Sequence, residues 1–308
     1  MLSPSTTSPF LLANEHHYQA WRKQKLSNAP DYRQLNFDDL FITINSSHKP
    51  NKDETDSILK ACHQNSLALY RFIDPSDCIN EITPNKESVH QLTKKLGLSQ
   101  LDNNLCADTD SLTSITQTSH KGQHEYIPYS NKRLSWHTDG YYNTADHQIH
   151  AMLLHCAQPA MEGGESLIMD HEIAYILLRD ENPDFIKAFM DHNAMTIPAN
   201  ILDGTVIREA QTGPVFSINK QGGLHMRYSA RKRNIEWQQN NPTLEAVAFL
   251  DQLLDSDSPH IIKYTLKAGE GLICRNVLHR RTSFKDYDNP TQKRLLYRGR
   301  YFDHINKP

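Results

Sequence analysis

Apolar positions along this chain change their rhythm near residue 130. Before it they recur at helical intervals, and after it short apolar runs alternate with turns. Residues 51–65 predict a helix with Ile58, Leu59 and Cys62 on one face. Residues 66–72 follow as a strand, ended by Asp74-Pro75. Thr83-Pro84 opens a second helix as capping residue and first-turn proline; Val89, Leu92 and Leu96 form its stripe and Gly97 ends it. Residues 99–130 are rich in Ser, Thr, Asp and Gln and read as a long loop region. Strands are then expected at 149–156, 166–169, 214–218, 260–266, 271–274 and 294–302. Helices near 171–192 and 241–255 interrupt them. The first should break at Asn182-Pro183, and the second should turn Leu244, Val247, Leu250 and Leu254 inward.

This order predicts a mainly β, α+β fold with helical decoration, a double-stranded β-helix of the jelly-roll or cupin-like kind. Residues 1–35 are polar and mixed, and read as an arm or a partly disordered segment. Residues 36–308 read as one domain, since no repeat or linker divides them.

Composition narrows the class of partner. With 38% hydrophobic and 22% charged residues and a net charge of −3, the chain gives no reason to expect nucleic acid or an anionic membrane. Its five cysteines are scattered without a C-x2-C pair, which suggests reduced thiols. The N-terminus lacks a basic region and its apolar run, Pro9-Phe10-Leu11-Leu12, is too short for a signal. The expectation is a cytoplasmic protein acting on a small molecule, with homo-oligomerisation left open.

Candidate chemistry sits in two segments. Residues 134–140 contain His137-Thr138-Asp139-Gly140, and residues 276–279 end at His279, with Arg294 fifteen residues further on. On a strand, residues i and i+2 share a face, so His137 and Asp139 can reach one ion. With His279 they make two imidazoles and one carboxylate, the ligand set of a non-haem Fe(II) site with three open positions. A lone His-x-Asp arises by chance in a chain with 17 histidines, so the ordered combination carries the weight. Arg294 is what an anionic co-substrate would need there. A zinc hydrolase fits less well, because no His-E-x-x-H motif or second carboxylate accompanies the site.

The stretches Arg133-Leu-Ser-Trp-His-Thr-Asp139, Leu153-Leu-His-Cys156, Gly163-Gly-Glu-Ser-Leu-Ile-Met-Asp170 and Leu278-His-Arg-Arg-Thr-Ser-Phe284, with Arg294 to Asp303, resemble the Fe(II)/2-oxoglutarate-dependent dioxygenases of the taurine dioxygenase superfamily. Within it, the catalytic domain is most similar to the gamma-butyrobetaine hydroxylases. That branch carries an N-terminal cysteine-rich zinc domain, and no matching cluster precedes residue 130 here.

The resemblance implies that His137, Asp139 and His279 bind Fe(II), that Arg294 pairs with the distal carboxylate of 2-oxoglutarate, and that the Ser166 hydroxyl helps hold it. Arg298 would back up the co-substrate or meet an anionic group of the substrate. The implied reaction consumes O2, releases succinate and CO2, and hydroxylates a small polar metabolite such as an amine or betaine, an amino acid or a sulfonate. Desaturation, demethylation, C–N or C–S cleavage, and a non-catalytic binding protein on the same fold are the alternatives. Related halogenases lack the carboxylate, so Asp139 argues for an oxidation. Tyr126, Tyr129, Trp136, Tyr141, Tyr142, Tyr297 and Tyr301 crowd the site segments. Of these Trp136, Tyr141 and Tyr142, with Arg227, are the candidate substrate contacts; an aromatic cage for a quaternary ammonium and simple packing are both open.

Overall fold

The computed structural model describes residues 8–44, 50–73, 86–103, 107–118, 127–202, 204–231, 233 and 235–305. It divides into two compact units: Met1–Tyr32, Ser135–Gln148 and Met169–Ile261 form the first, and Arg33–Leu134, Ile149–Ile168 and Ile262–Pro308 the second. Together they make a mixed α+β protein dominated by short strands.

The second unit is built on a six-stranded sheet in the order Phe41–Ile44, Leu67–Phe72, Glu270–Cys274, Ala151–Gln158, Leu295–Tyr301, Thr113–Ile115. The first pair is parallel and the others antiparallel. Helices Lys52–Asn65 and Lys86–Lys95 contribute Ile58, Cys62, Val89 and Leu92 to a core that the sheet completes with Tyr70, Leu153, Ile273 and Tyr301. The first helix starts where the sequence placed it, because Asn51 and Glu54 form a reciprocal capping box. The predicted stripe of the second is buried, and Gly97 ends it at φ +78°. The expected Thr83-Pro84 start and the Asp74-Pro75 strand end lie outside the described residues. The stretch read as a long loop contains a short strand, Thr113–Ile115.

Alternation along the strand Leu295–Tyr301 sorts its side chains. Tyr297 and Tyr301 turn to the core: Tyr301 is fully buried there, and Tyr297 stacks on His155 at 6.3 Å. They pack the sheet rather than a substrate. Leu296 and Arg298 face the other way, opposite Cys156 and Leu154. Elsewhere in this unit Ile261–Tyr264, Ser166–Met169 and Leu278–Arg281 run side by side in that order. Asn276 sits at φ +50° just before the last of these, and its buried side chain donates to the Ile149 carbonyl at 2.8 Å. Asparagine is one of the few side chains that tolerates this left-handed turn.

In the first unit, the segment read as an arm carries the helix Glu15–Asn28. Tyr18 is 1% exposed, with its hydroxyl donating to Asp180, and Lys25 lies 2.6 Å from both Asp170 and Glu172. Helices His171–Glu181 and Pro183–Phe189 break at Asn182, whose side chain caps the second one. The helix Asn241–Asp255 buries Thr243, Ala246, Leu250 and Leu254. Leu244, expected inward, is 41% exposed. Six residues separate it from Leu250, which puts it about 120° round the helix from the buried stripe.

Short strands also form where none was expected. Met195–Ile197 pairs with Gln211–Gly213 and Glu236–Trp237, and Asn200–Leu202 makes a hairpin with Thr205–Arg208. Among the described residues no helix is long and apolar enough to cross a membrane.

Candidate functional site

His137 ends the strand Leu134–His137, and Asp139 begins the turn beyond it. Thr138, fully buried between them, locks this turn. Its N–H donates to the Tyr228 carbonyl at 3.0 Å, and its hydroxyl accepts from the Tyr228 N–H at 3.1 Å. Gly140 follows at φ +64°, a conformation that favours glycine. His137 and Asp139 are both nearly buried, with His137 Nε2 4.0 Å from Asp139 Oδ1.

The two histidines are held alike. His137 Nδ1 lies 2.8 Å from the Ser135 carbonyl, and His279 Nδ1 lies 3.0 Å from the Val277 carbonyl. A carbonyl can only accept, so each Nδ1 carries a proton, which leaves Nε2 as the ring atom that could hold a metal. Each ring therefore takes its tautomer from the carbonyl two residues upstream. His137, Asp139 and His279 offer one ligand atom each, and these atoms lie within 4.8 Å of one another. Among the described residues this is the one such group of three. Two imidazoles and a carboxylate at that spacing suit a borderline divalent metal such as Fe(II).

A pocket in the second unit holds two further predicted residues. Arg294 and Ser166 line it with Cys156, Gly164, Thr265 and Leu266. Arg294 is 5% exposed, and its guanidinium makes no ion pair within the described residues. The nearby carboxylate of Asp286 instead accepts from the Arg294 backbone N–H at 2.8 Å. Burial pushes the Arg294 side chain down to about 10, only partly offset by the nearby Asp286 charge. The pocket can thus accept a carboxylate, with a hydroxyl to one side. Arg298 does not line it.

The double glycine earlier in the chain has a steric reason. Gly163 and Gly164 stand at φ +75° and +74°, and a Cβ on Gly163 would come within 2.5 Å of the Ser283 carbonyl oxygen. A Cβ on Gly164 would meet the Arg294 side chain at 3.5 Å. The turn that carries Ser166 therefore packs backbone against backbone beside Arg294.

Sequence reasoning missed Arg281 and Phe284. The Phe284 ring meets two guanidiniums, with Arg281 at 4.8 Å and Arg294 at 4.9 Å from its centroid. Arg281 is buried and donates to the carbonyls of Pro128, Ser130 and Lys132. Burial, with Arg294's charge in addition, pushes Arg281 down to about 9. The signal for it was the period-two spacing from His279.

The expected substrate residues separate. Tyr141 packs edge-on to His137 at 6.4 Å, and Tyr142 packs edge-on to Tyr141 at 5.1 Å. Trp136 is 3% exposed and donates its indole N–H to the Leu254 carbonyl at 3.1 Å, which makes it a helix anchor. Its place on the strand, one residue from His137, points it to the opposite face. Arg227 corrects the expectation more sharply. Its guanidinium donates to the carbonyls of Pro214, Gln211, Met195 and Gly213. That leaves little of its hydrogen-bonding capacity for a substrate anion. Tyr126 lies outside the described residues.

This geometry has a family behind it. Residues 45–300 match the family model "Taurine catabolism dioxygenase TauD, TfdA family", and the chain belongs to that family. It is 28% identical over 176 residues to a uridine-5'-phosphate dioxygenase from Amycolatopsis sp, covering 54% of this chain and 60% of that protein's length. A uridine-5'-phosphate dioxygenase from Streptomyces sp is 29% identical over 216 residues, covering 66% of this chain and 74% of the relative. Among solved structures, the non-heme iron oxygenase OrfP in complex with Fe and alpha-ketoglutaric acid shares the fold. Its TM-score is 0.56 at 14% identity, covering 81% of this chain and 79% of that one.

Proposed function

We propose that this protein is an Fe(II)- and 2-oxoglutarate-dependent dioxygenase that oxidises a small, polar, anionic metabolite. The observation that carries the reading is the group His137, Asp139 and His279, whose ligand atoms lie within 4.8 Å of one another, with each histidine's Nδ1 held by its own upstream carbonyl. His137, Asp139 and His279 would hold the metal, and Arg294 with Ser166 would hold the distal carboxylate of 2-oxoglutarate. When bound, iron and 2-oxoglutarate supply the oxidising power: O2 is consumed, and 2-oxoglutarate leaves as succinate and CO2. The chain's own work is positional. Thr138 fixes the turn between two ligands, the two carbonyls fix the imidazole tautomers, and Arg294 orients the co-substrate by its planar fork. The jelly-roll arrangement of the strands belongs to this proposal.

For the substrate, the relatives favour a uridine monophosphate-like compound. A quaternary ammonium, as in the gamma-butyrobetaine branch, fits less well. Arg208 already lies over Tyr142 at 5.8 Å from its ring centroid, and a second cation there would be repelled. Hydroxylation or a consequent bond cleavage both follow from the same site.

The test is succinate formation from 2-oxoglutarate by Fe(II)-reconstituted enzyme in the presence of uridine 5'-monophosphate. His137→Ala and Asp139→Ala should each abolish it and weaken Fe(II) binding in an anaerobic titration. Full turnover in either variant would remove the ligand assignment.

A further inference from the structure

The hairpin Asn200–Leu202 with Thr205–Arg208 carries a residue that neither the motifs nor the family site uses. Val206 pairs with Ile201, but Arg208 pairs with Asn200, so one extra residue is inserted in the second strand. Such a bulge re-aims side chains. In a regular strand Val206 and Arg208 would share a face. Here Val206 and Ile207 are 47% and 45% exposed while Arg208 is half-buried.

Arg208 is turned toward the tyrosines that follow the metal-ligand turn. Its guanidinium lies over Tyr142, Tyr142 packs on Tyr141, and Tyr141 packs on His137. These four side chains form a continuous ladder from a proposed metal ligand to a cation. Two Arg208 donors are engaged, to the carbonyls of Glu209 at 2.9 Å and Pro198 at 2.7 Å. A guanidinium has five N–H groups, so three remain. Arg208 makes no ion pair within the described residues, and its guanidinium rests on the Tyr142 ring. Burial draws it below its ordinary value.

We propose that Arg208 binds the phosphate of the substrate, a nucleoside monophosphate, with Tyr141 and Tyr142 lining the space between that phosphate and His137. The proposal rests on the dioxygenase reading above and names what its substrate must carry. A phosphomonoester matches a planar fork with unused donors, since its oxygens can accept two parallel hydrogen bonds. Arg227, a candidate substrate contact from the sequence, has its donors committed to carbonyls.

Titration calorimetry of the metal- and 2-oxoglutarate-loaded enzyme, under anaerobic conditions, with uridine 5'-monophosphate and with uridine tests this. Wild type should prefer the monophosphate by about ten- to hundredfold, the worth of charge-assisted hydrogen bonds. Arg208→Ala should remove that preference while keeping affinity for uridine, and Arg208→Lys should restore part of it. Val206→Ser, on the exposed face of the same hairpin, should retain the full preference, which separates a lost contact from a disturbed hairpin. An unchanged preference in Arg208→Ala overturns the proposal, as does a wild type that binds both compounds equally or neither. Succinate formation is measured beside it. Its absence from folded wild type counts against the dioxygenase reading, whereas succinate without a phosphate preference counts against Arg208 alone.

Discussion

Replacing Arg294 by methionine separates a co-substrate role from a structural one, because the two predict opposite effects on the unliganded protein. Arg294 is 5% exposed, and although the charge of nearby Asp286 favours it, burial is the larger effect on its guanidinium. Its displacement from 12.5 to about 10 corresponds to roughly 3 kcal/mol of cost for keeping the cation in place. The nearby Arg281 adds like-charge repulsion. Methionine removes both costs and keeps most of the volume. It gives up the stacking on Phe284, which is worth about 0.5–1 kcal/mol. The unliganded variant should therefore be at least as stable as wild type in a urea titration. Its affinity for 2-oxoglutarate should nevertheless fall by about two orders of magnitude, since roughly 3 kcal/mol of matched charge is no longer recovered on binding. Anaerobic titration of the Fe(II)-loaded enzyme with 2-oxoglutarate reads that number. An unchanged dissociation constant would refute the assignment, and a loss of several kcal/mol in unliganded stability would show that Arg294 is a structural cation.

Two further expectations come from packing and burial. His155 is fully buried against Tyr70, and burial pushes it from 6.5 down to about 3. The unfolded chain thus binds a proton that the folded one refuses. The contribution is intact above pH 6.5 and is lost as pH falls toward about 3, up to roughly 5 kcal/mol. Urea unfolding at pH 7 and pH 4.5 should show a smaller pH effect in His155→Phe than in wild type, and equal slopes would remove His155 as the cause. Gly163→Ala should cost about 2–4 kcal/mol, from left-handed strain plus a collision with the Ser283 carbonyl. Gly97→Ala, at a similar φ with open space around it, should cost about 1–2 kcal/mol. Thermal melts compare the two, and equal losses would mean the collision relaxes freely.

Much of this protein was written in local sequence. The helix Lys52–Asn65, its Asn51 cap, the break at Asn182-Pro183 and the strands Leu67–Phe72 and Ser166–Met169 follow from periodicity and from capping chemistry, which act over a few residues. The metal-ligand candidates were legible for the same reason, since the i, i+2 relation of His137 and Asp139 is local geometry.

What needed the tertiary structure was everything set by distant partners. Leu244 and Leu250 are both apolar, and only the packing of the helix chose which faced inward. Arg208 and Arg227 are indistinguishable as residues. One is turned by a bulge onto Tyr142 with donors to spare, and the other is surrounded by four carbonyls from segments up to 32 residues away. Sequence determined which groups are present and the local elements that carry them. The fold decided which hydrogen-bond donors are already satisfied, and so which cations remain to read a ligand, because that satisfaction depends on chain segments that meet only on folding.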